Sequence, residues 1–293
     1  MIESKNLTKI YSNGKGIFDV SFTVGEGEVF GFLGPNGAGK TTTIRNLLGF
    51  VNPTSGSCTI NDLDCRTKSA EIQKFLGYVP GEISFFDNMN GKQFLDFIAD
   101  MRGDHDRKRR NQLIERFELE SDRKIRKMSK GMKQKLGLIT ALMHDPSVLI
   151  LDEPTSGLDP LMQKRFIELI IEEKKRGKTI LMSSHMFDEV ERTSERVAII
   201  REGRIVAVEE ISKLKASLEK SYYITMENSE DMAIIKASGL KYRLIDEHRV
   251  EIFISNNYDE LFSILARCKV TGFDSAVQTL EQIFIGYYGK EAK

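Results

Sequence analysis

The sequence has no excess of either charge and only three cysteines. These two features argue against binding to nucleic acid or membranes through net charge and against a zinc site. Lysine plus arginine and aspartate plus glutamate number 43 each, so no net field draws the chain to nucleic acid or to a membrane surface. The 3 cysteines, Cys58, Cys65 and Cys268, form no C-x-x-C pair. This spacing argues against a zinc site and fits a reducing compartment.

Long apolar runs are also missing. No stretch approaches the roughly 18 apolar residues that a membrane-spanning helix needs. Residues 1–5 are not followed by an apolar core, so no secretory signal is expected. The 293 residues, 40% hydrophobic and 29% charged, have the composition of a globular protein with one large or two small domains.

Residues 34–42 carry the most specific pattern in the chain. They are Gly34, Pro35, Asn36, Gly37, Ala38, Gly39, Lys40, Thr41 and Thr42. They fit G-x-x-x-x-G-K-[ST], the phosphate-binding P-loop, with an apolar strand before and a helix after. Backbone N–H groups of the loop and the helix N-terminus attract an anion. Lys40 can reach the β- and γ-phosphates of a nucleotide, and the Thr41 hydroxyl can hold Mg²⁺.

A second pattern ends in two carboxylates. Residues 148–151 are apolar and predict a buried strand, and Asp152 and Glu153 follow directly. Ligands of open α/β sheets bind beyond the carboxyl ends of such strands. Asp152 can accept a hydrogen bond from a Mg²⁺-bound water, and Glu153 can polarise an attacking water. The alternative, two surface acids that end a strand, is disfavoured because the same chain has a P-loop.

Three weaker sequence patterns accompany the P-loop and the carboxylate strand. Residues 179–185 predict a strand that ends in His185, which either makes a structural hydrogen bond or contacts the γ-phosphate. The turn after the carboxylate strand contains Ser156, Gly157, Leu158 and Asp159. A helix begins at Ser129, Lys130, Gly131 and Met132, and its N–H groups are a second potential anion site.

Two further features have ordinary alternatives. Tyr11 lies in a β region upstream of the P-loop, where it either packs in the sheet or stacks on a purine ring. The basic run at residues 107–110 precedes apolar residues at helical spacing. A solvated helix face is therefore favoured over a nucleic-acid patch.

The pattern along the whole chain predicts two domains. Residues 1–212 are expected to form an α/β domain with antiparallel strands at the start and a helical subdomain at about 87–145. The composition shifts near residues 214–216, which we interpret as a linker. Residues 213–293 then predict a strand–helix–strand–strand–helix–strand order, the ferredoxin-like α+β pattern, and a last helix at residues 280–288. This second domain, residues 213–293, has no set of potential catalytic residues in its sequence, so we expect it to serve in interaction or regulation.

Five motifs in this order resemble the ATP-binding subunit of an ABC transporter over residues 1 to about 210. The P-loop resembles Walker A, and residues 149–153 resemble Walker B with its catalytic glutamate, Glu153. The stretch from Ser129 resembles the L-S-G-G-Q signature, and residues 156–159 resemble the D-loop. His185 resembles the switch histidine, and Tyr11 falls where the family stacks adenine.

The sequence departs from the family pattern at two motifs. Lys130 replaces the first glycine of the signature, and Met132 replaces its glutamine. Gly81 and Glu82 stand where the family's Q-loop glutamine is expected. Both departures, and the chain end at residues 283–289, resemble the ABC-2 branch of drug and antibiotic exporters with separate membrane subunits.

The resemblance implies the activity and the partners. It implies a Mg²⁺-dependent ATPase that works as a head-to-tail dimer, with Lys40, Glu153 and His185 catalytic and the signature acting on the ATP of the other copy. It also implies integral membrane permease subunits and a cytoplasmic position on the inner face of the membrane. A soluble ABC ATPase acting on nucleic acid or ribosomes is disfavoured, because the chain has one P-loop and no long heptad run. A small-molecule P-loop kinase would not need the Ser129 stretch or Glu153.

Overall fold

The computed structural model describes residues 1–276, except residues 87, 104–105, 217–219 and 255–256. The chain divides into two compact units, Met1–Ile211 and Ser212–Lys293. The predicted helix at 280–288 and the exporter-like chain end lie outside the described residues.

The first unit contains two sheets and a set of helices. Its strands are β1 (Ile2–Ile10), β2 (Gly16–Val24), β3 (Val29–Leu33), β4 (Ser55–Ile60), β5 (Leu63–Asp64), β6 (Leu76–Val79), β7 (Val148–Asp152), β8 (Thr179–Ser184), β9 (Arg196–Arg201) and β10 (Arg204–Glu210). Its helices are α1 (Lys40–Leu47), α2 (Ser69–Phe75), α3 (Gly91–Arg102), α4 (Lys108–Arg116), α5 (Lys130–Leu142), α6 (Pro160–Lys175) and α7 (Phe187–Thr193), with a 3-10 turn at Ile125–Lys127.

The six-stranded sheet positions the motifs. Its order is β10-β9-β3-β8-β7-β6, and all neighbours are parallel except β10 and β9. Every residue of β3, β7 and β8 is buried, as expected for central strands of a parallel sheet covered on both faces. Because parallel strands end at one edge, the P-loop, the carboxylate pair and His185 leave the sheet side by side.

A four-stranded antiparallel sheet of order β2-β1-β4-β5 packs against this core. Phe22 of β2 stacks on Phe30 of β3 at 5.6 Å between ring centroids and contacts Phe32 at 5.4 Å. Aromatic rings bury large apolar areas, so these contacts join the two sheets into one core.

The helical region consists of α3, α4 and α5, with α5 packed on the other two. The three arginines of the basic run at the start of α4 have intramolecular partners: Arg107 and Arg110 pair with Asp96, and Arg109 contacts Glu173 at 2.9 Å. The predicted solvated helix face is therefore wrong for Arg110, which is buried. These ion pairs attach α4 to α3 and α6.

Helix α8 (Ile211–Ala216) begins at the last residue of the first unit. The second unit then contains β11 (Lys220–Met226), α9 (Met232–Ala237), β12 (Lys241–Leu244), β13 (Arg249–Ile254), α10 (Tyr258–Leu265) and β14 (Val270–Ala276). Its sheet has the order β12-β13-β11-β14 with all neighbours antiparallel, which is the ferredoxin-like topology. Residues 214–216, interpreted as a linker from composition, are helical instead.

Helix α7 was not predicted from the sequence, and a glycine allows it to approach the central sheet. It packs on β3, where a Cβ atom on Gly31 would lie 2.4 Å from Cγ1 of Val190. The missing side chain therefore sets the distance between α7 and the strand that leads into the P-loop.

We expect Gly31→Ala to lower the free energy of unfolding by about 1–3 kcal/mol, because the added methyl group overpacks this contact. The double variant Gly31→Ala/Val190→Ala should recover part of that loss, since it removes the clashing methyl. Denaturant unfolding of the full chain measures both. If the double variant lost as much unfolding free energy as the two single variants together, this contact would not be the cause.

Candidate active site

The P-loop surrounds the ammonium group of Lys40, the first residue of α1. Lys40 Nζ donates to the carbonyl oxygen of Gly34 at 2.6 Å and lies 3.4 Å from that of Pro35. Its side chain is 6% exposed. Backbone carbonyls do not neutralise the charge of a buried ammonium, so an anion beside it is strongly favoured.

Glu153 is that partner, and it also contacts the predicted histidine. Its Oε1 lies 3.0 Å from Lys40 Nζ, and its Oε2 lies 2.5 Å from Nδ1 of His185. One carboxylate thus joins the P-loop, the end of β7 and the end of β8. The imidazole is half exposed, so it remains open to a ligand from solvent.

The Glu153 backbone is held in an uncommon conformation. Its φ is 51°, in the left-handed region that few residues other than glycine adopt. The N–H group donates to the carbonyl and hydroxyl oxygens of Ser183 at 3.1 and 3.2 Å. Gln134 of α5, itself buried, donates to the carbonyl oxygen of Pro154 at 2.8 Å. Such strain persists only where surrounding contacts hold it, and it is frequent at functional sites.

Asp152 is completely buried at the end of β7. Its Oδ2 accepts from the Thr41 hydroxyl at 2.8 Å, and its Oδ1 accepts from the Ser183 hydroxyl. The structure therefore brings together the two predicted metal ligands, one from α1 and one from β7. Burial is the largest cause that raises the pKa of Tyr78 on the neighbouring strand β6 to about 12, and the negative charge of Asp152 adds to it.

A cavity of about 220 Å³ lies over the P-loop. Its lining residues are Tyr11, Lys15, Gly16, Pro35, Asn36, Gly37, Gly39, Lys40, Thr41, Thr42 and Glu153. The Tyr11 ring forms one side, with Nζ of Lys9 at 5.6 Å from its centroid. Aromatic, basic and backbone N–H groups in one cavity match the base and the phosphates of a nucleotide.

The stretch from Ser129 lies elsewhere in this copy. Ser129 caps α5 by accepting from the N–H of Met132 at 3.2 Å, and Lys130 Nζ donates to the Ser156 hydroxyl at 3.0 Å. A Cβ atom on Gly131 would lie 2.6 Å from the carbonyl oxygen of Gly157. The signature-like residues therefore contact the turn after β7, and none of them is among the described residues that line the P-loop cavity.

The other residues of that turn and of the Q-loop position have defined surroundings. Leu158 is buried, and Asp159 caps α6 by accepting from the N–H of Met162 at 3.0 Å. A Cβ atom on Gly81 would lie 3.4 Å from Oδ2 of Asp152, whereas Glu82 is exposed. The backbone at Gly81 thus lies against the buried carboxylate.

Sequence reasoning missed Gly16, which lines the cavity, and four further residues at this site. Gln134, Ser183 and Glu189 are polar residues buried behind the carboxylates. Lys15 lines the cavity because a turn returns its carbonyl to the N–H of Tyr11 at 2.9 Å. Only Lys15 had a local signal, the Asn-Gly turn between Tyr11 and Lys15.

None of the helices in the described part of the chain combines the length and the apolar character that a bilayer crossing requires. A family model described as ABC transporter matches residues 17–156. A solved structure described as the ATP binding subunit of an ABC transporter has a TM-score of 0.69 and 30% identity, and the match covers 73% of this chain and 92% of that one.

Named relatives cover most of the sequence. The bacitracin transport ATP-binding protein BcrA of Bacillus licheniformis is 34% identical over 262 residues, which are 88% of this chain and 80% of the relative. The probable multidrug ABC transporter ATP-binding protein YbhF of Escherichia coli (strain K12) is 35% identical over 221 residues, 74% of this chain and 38% of the relative. With the parallel sheet and the converging motifs, these matches show that the chain belongs to the ABC transporter family as an ATP-binding subunit.

Proposed function

We propose that this protein hydrolyses ATP to drive an exporter whose membrane-spanning part is formed by separate permease subunits. The observation that carries the proposal is the contact of Lys40, Glu153 and His185 beside the P-loop cavity. The transport of bacitracin or drugs, named for two relatives, supports export as the direction.

The ion pair between Lys40 and Glu153 connects nucleotide binding to catalysis. A bound γ-phosphate competes with Glu153 for the Lys40 ammonium, because both are anions within its reach. Once Lys40 turns to the phosphate, Oε1 of Glu153 is free to accept the proton of an attacking water. His185, in contact with the other oxygen, keeps the carboxylate oriented during this exchange. Tyr11 stacks on the adenine at the far side of the cavity.

Thr41 and Asp152 are the residues that would hold Mg²⁺. Their hydroxyl and carboxylate oxygens are 2.8 Å apart. Mg²⁺ prefers oxygen ligands and commonly takes one or two from protein, with the rest from phosphates and water. The donor set therefore fits the ion, which supplies neutralisation of the triphosphate charge when bound.

Two copies are needed to complete the proposed site. The N-terminus of α5 carries Ser129 and Gly131 but contacts the turn after β7 of its own copy. A triphosphate has more negative charge than one P-loop and one lysine neutralise, so a second helix N-terminus from another copy is a favourable addition. ATP then holds two copies together, and hydrolysis releases them. This opening and closing biases the membrane partner between two states.

An exposed apolar surface on the helical region supports the permease partner. The side chains of Phe86, Phe97 and Met101 are 54%, 38% and 71% exposed, and Phe86 and Phe97 contact each other at 5.9 Å between ring centroids. Exposed apolar patches are typical of protein interaction sites. A protein that binds permeases in this way lies on the cytoplasmic face of the membrane. Co-purification with a multi-span membrane protein tests this partner.

We expect Glu153→Gln to lower kcat for ATP hydrolysis by about 10²–10⁴-fold, because the amide cannot accept the proton. ATP binding should persist, since the P-loop is intact, and the paired form should accumulate in gel filtration with Mg²⁺ and ATP. Glu71→Gln, at an exposed pair with Lys68, is the matched control. Wild-type kcat in Glu153→Gln would remove Glu153 as the base.

We expect Lys40→Ala to weaken ATP binding roughly 10- to 100-fold, because a hydrogen bond to a charged group contributes about 1.5–3 kcal/mol. Equilibrium binding of a fluorescent ATP analogue measures the change in Kd. Lys68→Ala serves as the control because Lys68 pairs with Glu71 in α2. Equal affinity of Lys40→Ala and wild type would refute the phosphate-binding assignment.

We expect Lys130→Met to lower kcat about 2- to 10-fold, because it removes one solvent-exposed hydrogen bond from the ammonium to Ser156, worth about 0.5–1.5 kcal/mol. The affinity of one copy for ATP should not change, because Lys130 lies outside the cavity. Lys133→Met, one helical turn further along α5, is the matched control. A lower ATP affinity without a change in kcat would contradict a role of Lys130 in positioning the turn.

A further inference from the structure

Glu189 is a buried carboxyl group to which no role has yet been assigned. It lies in α7, four residues after His185, and is 3% exposed. Among the described residues no ion pair involves Glu189, although taking a carboxylate out of water without a cation is costly. Its burial therefore does not by itself stabilise the fold, and its contacts indicate what it does.

The contacts of Glu189 lead directly to the residue before His185. Its Oε2 accepts from the Ser184 hydroxyl at 2.6 Å. The same Ser184 oxygen accepts from the N–H of Met186 at 2.9 Å. Ser184 therefore bridges Glu189 and the backbone on the far side of His185, and the one-residue loop between residues 184 and 186 is fixed at both ends.

We propose that Glu189 is a positioning residue for ATP hydrolysis: through Ser184 it fixes the loop that holds His185 against Glu153. The proposal rests on the proposed function, in which Glu153 is the base and His185 orients it. Glu189 itself touches neither of them through a hydrogen bond among the described contacts. Its effect on the His185 loop passes through the Ser184 hydroxyl, so we expect loss of that hydroxyl and loss of the carboxylate to loosen this loop alike.

The charges around Glu189 make this contact sensitive to pH. Burial is the largest cause that raises the pKa of Glu189 to about 7, and the negative charges of Glu153 and Asp188 add to it. The hydroxyls of Ser184 and Thr155 act in the opposite direction. The cations of this region are engaged with other acids: Lys40 contacts Glu153 and Arg192 contacts Asp188.

Protonation of Glu189 has opposite consequences for stability and for the loop. Because the folded pKa lies above the ordinary value of 4.5, its stabilising contribution is fully present below about pH 4.5 and is lost as pH rises through about 7. Above pH 7 the carboxylate makes a charge-assisted hydrogen bond to Ser184, which is stronger than a neutral one. The loop is thus held best where Glu189 contributes least to stability.

The test measures kcat and KM for ATP between pH 6 and 9 in the full chain. For Glu189→Gln and Ser184→Ala we expect kcat at pH 8 to fall about 3- to 10-fold with KM unchanged. The double variant should be no slower than either single variant, since both act through one bond. We expect wild-type kcat to rise with a midpoint near pH 7 and this rise to flatten in Glu189→Gln. Glu115→Gln, an exposed glutamate of α4, is the control.

Thermal unfolding at pH 8 separates positioning from folding. Glu189→Gln removes a buried charge, so we expect its unfolding temperature to equal or exceed that of wild type while its kcat falls. Equal kcat in wild type, Glu189→Gln and Ser184→Ala at every pH would overturn the proposal, as would a loss of kcat explained by a lower unfolding temperature. A wild-type protein without ATPase activity would instead refute the proposed function.

Discussion

The shared edge of three buried parallel strands is the constraint on which this protein depends. β3, β7 and β8 pair in register and end together, so the chain leaves the sheet three times within one small volume. The first exit supplies Lys40, the second Asp152 and Glu153, and the third His185. No single segment of the chain contains the site. The sheet holds the side chains from the three segments in place relative to one another.

The site also concentrates carboxyl groups at different depths. Asp152 is fully buried and satisfied by two hydroxyls, whereas Glu153 is shared between a lysine and a histidine. Glu189 lies behind them with hydroxyl partners only. Each carboxyl group has a different set of donors, and in the proposed mechanism an incoming phosphate competes only for the lysine partner of Glu153.

The parts of the site that depend on contiguous residues could be predicted from the sequence. The glycine loop before Lys40, and the acids that follow an apolar strand, are local patterns with a chemical reason. Their convergence followed from the rule that parallel strands end together. The ferredoxin-like order of the second unit was likewise readable from alternating strand and helix patterns, and its sheet has that topology.

Other parts depend on tertiary packing and left no local signal. Gln134 and Ser183 are ordinary residues of a helix and a strand until the fold brings them behind Glu153. Helix α7 is only 7 residues long, too short for its periodicity to stand out, and its approach to the sheet depends on Gly31. Composition indicated a linker at residues 214–216, because it cannot distinguish a lysine-rich short helix from a loop.

The tight contact between Gly131 and Gly157 has a consequence for a pair of copies. There is no room at this contact for a side chain, so the start of α5 and the turn after β7 pack backbone against backbone. In the proposed pair, these packed segments serve the neighbour's nucleotide at one end and the copy's own base at the other. Within that pair, this contact therefore links the two nucleotide pockets through each copy.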